Sequence, residues 1–137
     1  MYSREHFLIG AVASALLLVP LSSRFGTPLL AALFVYGVLL SVFIDLDHFV
    51  LTRVETGSWR HLRACLANPT DAFGDQDWVF EDVDSAELEH MRILSHVAIG
   101  GVLVGALVLL WPPVAVFTAV VLYCHVLADL LRDNGVA

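Results

Sequence analysis

Three ionisable residues end the second apolar stretch of the sequence, which carries no charge from residue 27 to residue 44. They are Asp45, Asp47 and His48. A charge at the centre of a membrane segment costs about 2.5 to 3.5 kcal/mol, so these groups call for a compensating partner. A metal cation is one such partner, because Asp and His are ligands in zinc, manganese and iron sites. The alternative is a helix end that reaches water, where the same side chains are simply solvated.

The other apolar stretches carry ionisable residues at matching positions. His6 opens the first, His96 lies about one turn into the third, and His125 and Asp129 lie in the last turns of the fourth. In four consecutive spans of alternating direction, these positions fall at one depth on one side of the membrane. We therefore expect the four residues to lie level with the end of the second stretch.

Spacing within the helices adds detail. His125 and Asp129 are four residues apart and share a helix face, which suits two bonds to one metal ion or to neighbouring ions. Asp45 and His48 are three residues apart and also share a face. Asp47 lies about 200° from Asp45 around an ideal helix, so we expect either that the helix unwinds there or that Asp47 points elsewhere.

Four apolar stretches must position these residues. The chain is 58% apolar and has a mean hydropathy of +0.79, well above the soluble average. This composition predicts an all-α integral membrane protein, a single membrane domain with four transmembrane helices. We place the spans at residues 7–23, 27–47, 93–111 and 114–131. The first stretch could instead be a signal peptide, but no A-x-A cleavage pattern follows it.

A polar, acidic insertion at residues 52–92 separates the second and third spans. It holds nine Asp and Glu residues and four Arg, and the whole chain has no Lys. Such a composition is typical of proteins from salt-loving archaea, although a solvated loop reads similarly. Within the insertion, residues 58–67 are predicted to form a short interfacial helix with Trp59, Leu62 and Leu66 on one side.

Charge, cysteine and glycine positions set further limits. Six of the seven Arg residues fall on the side that holds both termini and the insertion, so this side is predicted to be cytoplasmic. The net charge of −7 disfavours nucleic acid as a partner, because phosphate backbones are bound through cationic groups.

Cys65 and Cys124 lack CxxC spacing, so neither a disulfide framework nor a thiolate zinc site is expected. Gly100, Gly101 and Gly105 give the third span the small-residue spacing that permits close helix packing.

Taken in order, the motifs resemble those of the YdjM-type membrane-bound metal-dependent hydrolases. That family has an early His, a D-[IL]-D-H sequence after an apolar helix, an H-R-G-x-T-H-S motif and a late H-x3-D. The counterparts in this chain are His6, Asp45-Leu46-Asp47-His48, Arg92 to His96, and His125 to Asp129. The middle motif departs from the pattern, because Met91, Ile93 and Val97 replace its first His, its Gly and its final Ser.

The resemblance implies a divalent metal ion, zinc by preference, and hydrolysis of an ester or phosphoester at the cytoplasmic membrane face. Membrane lipid, such as a phospholipid, is a candidate substrate. The late H-x3-D is also similar to one in zinc-dependent phospholipase C and P1-type nucleases, which implies a site with more than one zinc ion. Arg92 is the candidate catalytic residue, because its planar donor group suits negative charge on a phosphoryl oxygen. The implied metal ligands are His6, Asp45, Asp47, His48, His96, His125 and Asp129.

A non-enzymatic function would use the same residues. Intramembrane Asp and His also occur in ion or proton conduits, and they could stabilise a partner subunit through a metal ion. A conduit needs polar groups that continue through the other half of the membrane. The outer halves of the four stretches offer only Ser14 and Thr118, which argues against transport.

Overall fold

The computed structural model describes residues 3–68 and 85–136 of the chain. Every regular element in these residues is a helix, as the sequence predicts. Six of the nine acidic residues of the predicted insertion lie outside the described residues: Asp71, Asp75, Asp77, Glu81, Asp82 and Asp84. The elements, numbered in chain order, are α1 (Ser3–Leu21), α2 (Thr27–Phe43), a 3-10 turn (Ile44–Leu46), α3 (Asp47–Thr56), α4 (Arg60–Ala67), α5 (Ser85–Leu110) and α6 (Pro112–Asp133).

Four helical stretches are long and apolar enough to cross a membrane, which confirms the predicted all-α fold with four spans. α1 packs on α2 and α6, while α5 packs on α6 and α3. Pro28 stands in the first turn of α2 and Pro112 begins α6, where the missing N–H of proline removes no helical hydrogen bond. The spanning stretches are Ser3–Leu21, Thr27–Thr56, His90–Leu110 and Pro112–Asp133.

The second span is one continuous helical rod with a single change of winding. α2 leads through the 3-10 turn directly into α3, and no proline or glycine interrupts residues 38–56. Gly57 ends the rod with a φ of 72°, a conformation that glycine adopts without steric cost. Its N–H donates to the Arg53 carbonyl at 3.0 Å, which closes the last turn. The helix therefore continues beyond residue 47, the predicted end of the span.

Small residues bring α1 and α2 into close contact. A Cβ added to Gly10 would lie 2.5 Å from Ser41 Cβ, and one added to Gly37 would overlap Ser14 Oγ. Small residues at such crossings let membrane helices approach closely. The sequence predicts this role for Gly100, Gly101 and Gly105 of the third span, of which only Gly100 lies against a described residue, with Leu122 3.0 Å from the added Cβ. Added Cβ atoms at positions 101 and 105 would meet no described residue within 4 Å.

α4 is a short helix outside the four spans, and the interfacial position of the Trp59, Leu62 and Leu66 side stays a prediction. His61 and Cys65, four residues apart, are the buried residues, whereas Trp59 is 42% exposed and Leu66 73% exposed. The Arg53 guanidinium lies over the Trp59 ring, with its carbon atom 5.9 Å from the ring centroid. Burial lowers the pKa of His61 and raises the pKa of the Cys65 thiol, so both are neutral at pH 7.

Candidate metal centre

The first group of candidate ligands joins two helices, α1 and α6, to the 3-10 turn. Nε2 of His6 lies 3.3 Å from Asp129 Oδ1 and 3.5 Å from Asp45 Oδ2. Nε2 of His125 lies 3.4 Å from Asp129 Oδ2 and 3.5 Å from Asp45 Oδ1. The rings of His6 and His125 stack with their centroids 4.0 Å apart. The first, second and fourth spans thus meet at one point, at the level that the sequence predicts.

The second group uses Asp45 again, together with residues of α3 and α5. Asp45 Oδ1 lies 3.2 Å from Nε2 of His96 and 3.8 Å from Nε2 of His48. Asp47 Oδ1 lies 3.8 Å and 4.0 Å from the same two nitrogens. The donor atoms of the four residues in the first group lie within 4.8 Å of one another, as do those of Asp45, His48 and His96 in the second group. Asp47 lies beside the second group.

The 3-10 turn explains how Asp45, Asp47 and His48 converge. Side chains two positions apart point about 160° apart around an α-helix, measured the shorter way round. In a 3-10 turn, side chains two positions apart point about 120° apart. His48 is the second residue of α3 and follows Asp45 by three positions, which keeps its Nε2 3.8 Å from Asp45 Oδ1. The sequence predicts either that the helix unwinds at this point or that Asp47 points elsewhere. The helix instead tightens into the 3-10 turn, and Asp47 stays beside the cluster.

The cluster is buried deeply for a set of polar side chains. Asp and His at this depth are rare unless a charge partner or a metal ion satisfies them. Among the described residues, Nε2 of His125 and Oδ1 of Asp47 are buried and make no hydrogen bond, although both face the cluster. A divalent cation fits these donors, so the buried His and Asp residues could hold a metal ion. Four of the cluster residues are at most 2% exposed: His6, His96, His125 and Asp129.

Supporting hydrogen bonds orient the ligands. Nδ1 of His96 lies 2.7 Å from the Arg92 carbonyl, which can only accept, so Nδ1 donates there and Nε2 faces the cluster. Ser41 Oγ donates to the His6 carbonyl at 2.9 Å and fixes the first turn of α1 against α2. Ser95 Oγ donates to Asp47 Oδ2 and to no other described carboxylate.

The predicted catalytic residue, Arg92, is largely enclosed by carboxylates. Its Nη2 lies 2.5 Å from Asp133 Oδ2 and 3.7 Å from Asp129 Oδ1, and the residue is 8% exposed. The guanidinium therefore lies beside the same Asp129 oxygen that His6 approaches. Direct contact of Arg92 with a substrate stays a prediction.

Sequence reasoning missed Ser95 and Asp133 as parts of this site. Asp133 follows Asp129 by four residues, a spacing that places both on one helix face and would have indicated it. Ser95 lies in the middle motif between Arg92 and His96, but its contact with Asp47 depends on how α5 packs against the 3-10 turn. Of the remaining histidines, His90 is exposed and His61 lies in α4, and neither belongs to the ligand groups found among the described residues.

Comparisons with protein-family models, curated proteins and solved structures give no match to this chain. The resemblance to the YdjM-type hydrolases therefore stays a prediction from the motifs.

Proposed function

We propose that the protein is a membrane-bound, divalent-metal-dependent hydrolase. The observation that carries the proposal is the convergence of four imidazole Nε2 atoms and three carboxylates from all four spans, at one end of the bundle. Imidazole and carboxylate donors without thiolates suit zinc, the metal that we propose. When bound, such an ion makes a nucleophile from water near neutral pH and polarises an ester or phosphoester.

The candidate ligands differ in exposure, which indicates the side from which a substrate can approach. Asp45 and His48 have 14% and 15% of their side-chain surface exposed, whereas His6, His125 and Asp129 are at most 1% exposed. A substrate therefore approaches along the α3 side, and the α1 and α6 side closes the site behind it. Because the site lies at the end of a membrane bundle, an ester or phosphoester of a membrane lipid can reach it without leaving the bilayer surface. The Arg distribution favours the cytoplasmic face.

A hydrolase accounts for the rest of the bundle better than a conduit does. The halves of α2 and α6 remote from the cluster meet in an apolar core, formed by Leu33, Val114, Phe117 and Val121. Thr118 is buried there, and its hydroxyl is satisfied by Tyr36 at 2.9 Å. Among the described residues, the buried polar side chains of this half carry hydroxyl groups, such as Ser14 and Thr118, and no buried Asp, His or Arg continues the cluster across the bundle as transport would require.

Metal-dependent turnover tests the proposal. Purified protein is stripped with a chelator, reloaded with Zn²⁺ and assayed with a chromogenic phosphodiester, a chromogenic carboxylic ester and a fluorescent phospholipid. We expect hydrolysis that Zn²⁺ restores and that Asp129→Asn lowers by more than about 100-fold, since even supporting residues of metal sites account for 10–100-fold. The exposed His90→Ala is the matched control and keeps full activity. Metal loading without turnover of any of the three substrates would favour the non-enzymatic alternative.

A further inference from the structure

We infer that Asp133 is a positioning residue of the metal centre. It holds the guanidinium of Arg92, and Arg92 in turn sets the positions of Asp129 and His96. Asp133 lies beyond the H-x3-D motif, which ends at Asp129. The inference rests on the metal centre of the proposed function and is independent of the reaction that the centre catalyses.

The Arg92–Asp133 ion pair lies one helical turn beyond the ligands. Arg92 precedes His96 by four residues on α5, and Asp133 follows Asp129 by four residues on α6. The two helices pack on each other in opposite directions, because Trp111 alone separates them in the chain. Both offsets therefore point toward the same end of the bundle, by about 6 Å at 1.5 Å per residue. The ion pair ties α5 to α6 at the end where the chain does not connect them.

The guanidinium is shared unequally between two carboxylates. Nη2 of Arg92 lies 2.5 Å from Asp133 Oδ2 and 3.7 Å from Asp129 Oδ1. The shorter distance is a hydrogen bond, whereas the longer one is beyond hydrogen-bond reach. Asp129 Oδ1 lies nearer to Nε2 of His6, at 3.3 Å. This oxygen therefore remains available to a cation in the cluster.

Charge explains why a carboxylate is needed at position 133. A buried guanidinium beside a site for a divalent cation opposes binding of that cation, unless a neighbouring carboxylate offsets its charge. The Arg92 side chain is only 10% exposed, so water compensates little of its charge. Without the Asp133 carboxylate, we expect the guanidinium to turn to Asp129 and to occupy the oxygen that a metal ion requires.

The backbone of Arg92 extends the effect to a second ligand. Its carbonyl accepts a hydrogen bond from Nδ1 of His96 at 2.7 Å, and Nε2 of the same ring lies 3.2 Å from Asp45 Oδ1. A displacement of α5 at residue 92 would therefore move His96 in the second group, while the side chain of residue 92 acts on Asp129 in the first. One ion pair thus governs the positions of ligands on two helices.

Substitution of Asp133 tests this role through metal affinity. We expect Asp133→Asn to lower the affinity for Zn²⁺ by about 10–100-fold, the cost typical of residues that orient metal ligands. Asp133→Glu keeps the charge and should recover most of the loss. The double variant, Asp133→Asn with Arg92→Gln, should bind Zn²⁺ no more weakly than Asp133→Asn alone, because residues that act as one unit are not additive. Competition with a chromogenic chelator measures all four affinities.

Cobalt(II) reports the geometry of the ligands, which a mere loss of stability leaves unchanged in the folded protein. Co²⁺ replaces zinc, and its visible absorption bands shift when a ligand moves. We expect Asp133→Asn to change the visible spectrum of the Co²⁺-loaded protein. Arg132→Gln is the matched control, because it removes a more exposed ion pair, with Glu5 at 3.5 Å, from the adjacent position of α6. It should leave the Zn²⁺ affinity and the Co²⁺ spectrum unchanged.

Wild-type Zn²⁺ affinity together with an unchanged Co²⁺ spectrum in Asp133→Asn would overturn the inference. Equal losses of affinity in Asp133→Asn and Arg132→Gln would overturn it too. If Asp133→Asn does not fold, Arg92→Lys decides the question, because lysine keeps the charge and lacks the planar donor group. We expect weaker Zn²⁺ binding and a changed Co²⁺ spectrum in that variant, and wild-type values for both would contradict the inference.

Failure of the proposed function gives a different result. Zinc-loaded wild-type protein without turnover would refute the hydrolase, while the metal affinities of the variants would still decide the role of Asp133. A higher KM with unchanged Zn²⁺ affinity in Asp133→Asn would show that Asp133 acts through contact of Arg92 with the substrate. That result would overturn the inference and leave the hydrolase standing.

Discussion

Asp45→Asn is expected to abolish tight metal binding, the largest functional effect of any single substitution in the chain. The asparagine keeps the size of the side chain and removes the charge that both ligand groups share. We expect affinity for Zn²⁺ to fall by more than about 100-fold, beyond the 10–100-fold cost of losing a supporting residue. Competition with a chromogenic chelator measures this affinity in detergent-solubilised protein.

Two controls separate ligand loss from misfolding in this experiment. His90→Ala removes an exposed imidazole from α5 and should leave Zn²⁺ affinity unchanged. His61→Ala removes a buried imidazole outside the cluster, so it reports the effect of a disturbed helix on metal affinity. If Asp45→Asn bound Zn²⁺ like the wild type while His61→Ala did not, the site would have to lie near α4.

Gly10→Ala is expected to give a large loss of stability for the addition of a single methyl group. The added Cβ would lie 2.5 Å from Ser41 Cβ, which has no rotamer freedom with which to move away. Overpacking of this kind costs about 1–3 kcal/mol. Because Ser41 Oγ donates to the His6 carbonyl, a shift of α1 that relieves the clash would also displace His6, a candidate metal ligand. Thermal denaturation in detergent and the Zn²⁺ affinity should therefore both decline.

Gly105→Ala is the matched control for this prediction. It makes the same chemical change in another spanning helix, where the added Cβ meets no described residue within 4 Å. Alanine is also the better helix former, by about 1 kcal/mol, so the midpoint of denaturation should stay or rise. Equal destabilisation by the two substitutions would contradict the close α1–α2 contact.

Much of the fold and the level of the site follow from the sequence. Long apolar runs predict the spans, because a helix is the one structure in which such a run satisfies its own backbone in lipid. The level of the cluster follows from alternating span direction and a fixed rise per residue, so His6, His96 and His125 come together without any knowledge of side-chain packing.

Features that depend on local winding and on packing between helices do not follow from the sequence. Nothing in the residues around Asp45 identifies a 3-10 turn, yet that turn decides that Asp47 stays beside the cluster. The ion-pair partner of Arg92 depends on the rotation of α6 about its own axis, which brings Asp133 within 2.5 Å of the guanidinium. The sequence pattern likewise does not show that the polar His61 packs inward in α4 while Leu66 remains exposed.

X-ray absorption at the zinc edge of stripped and reloaded wild-type protein tests the central claim, that the buried His and Asp cluster is the metal centre. We expect only nitrogen and oxygen neighbours, at about 2.0–2.1 Å, with the outer-shell scattering of two imidazoles per zinc ion. Sulfur scattering at about 2.3 Å would place the ion at a cysteine instead. A spectrum without imidazole scattering, or a protein that retains no zinc after reloading, would equally contradict the claim.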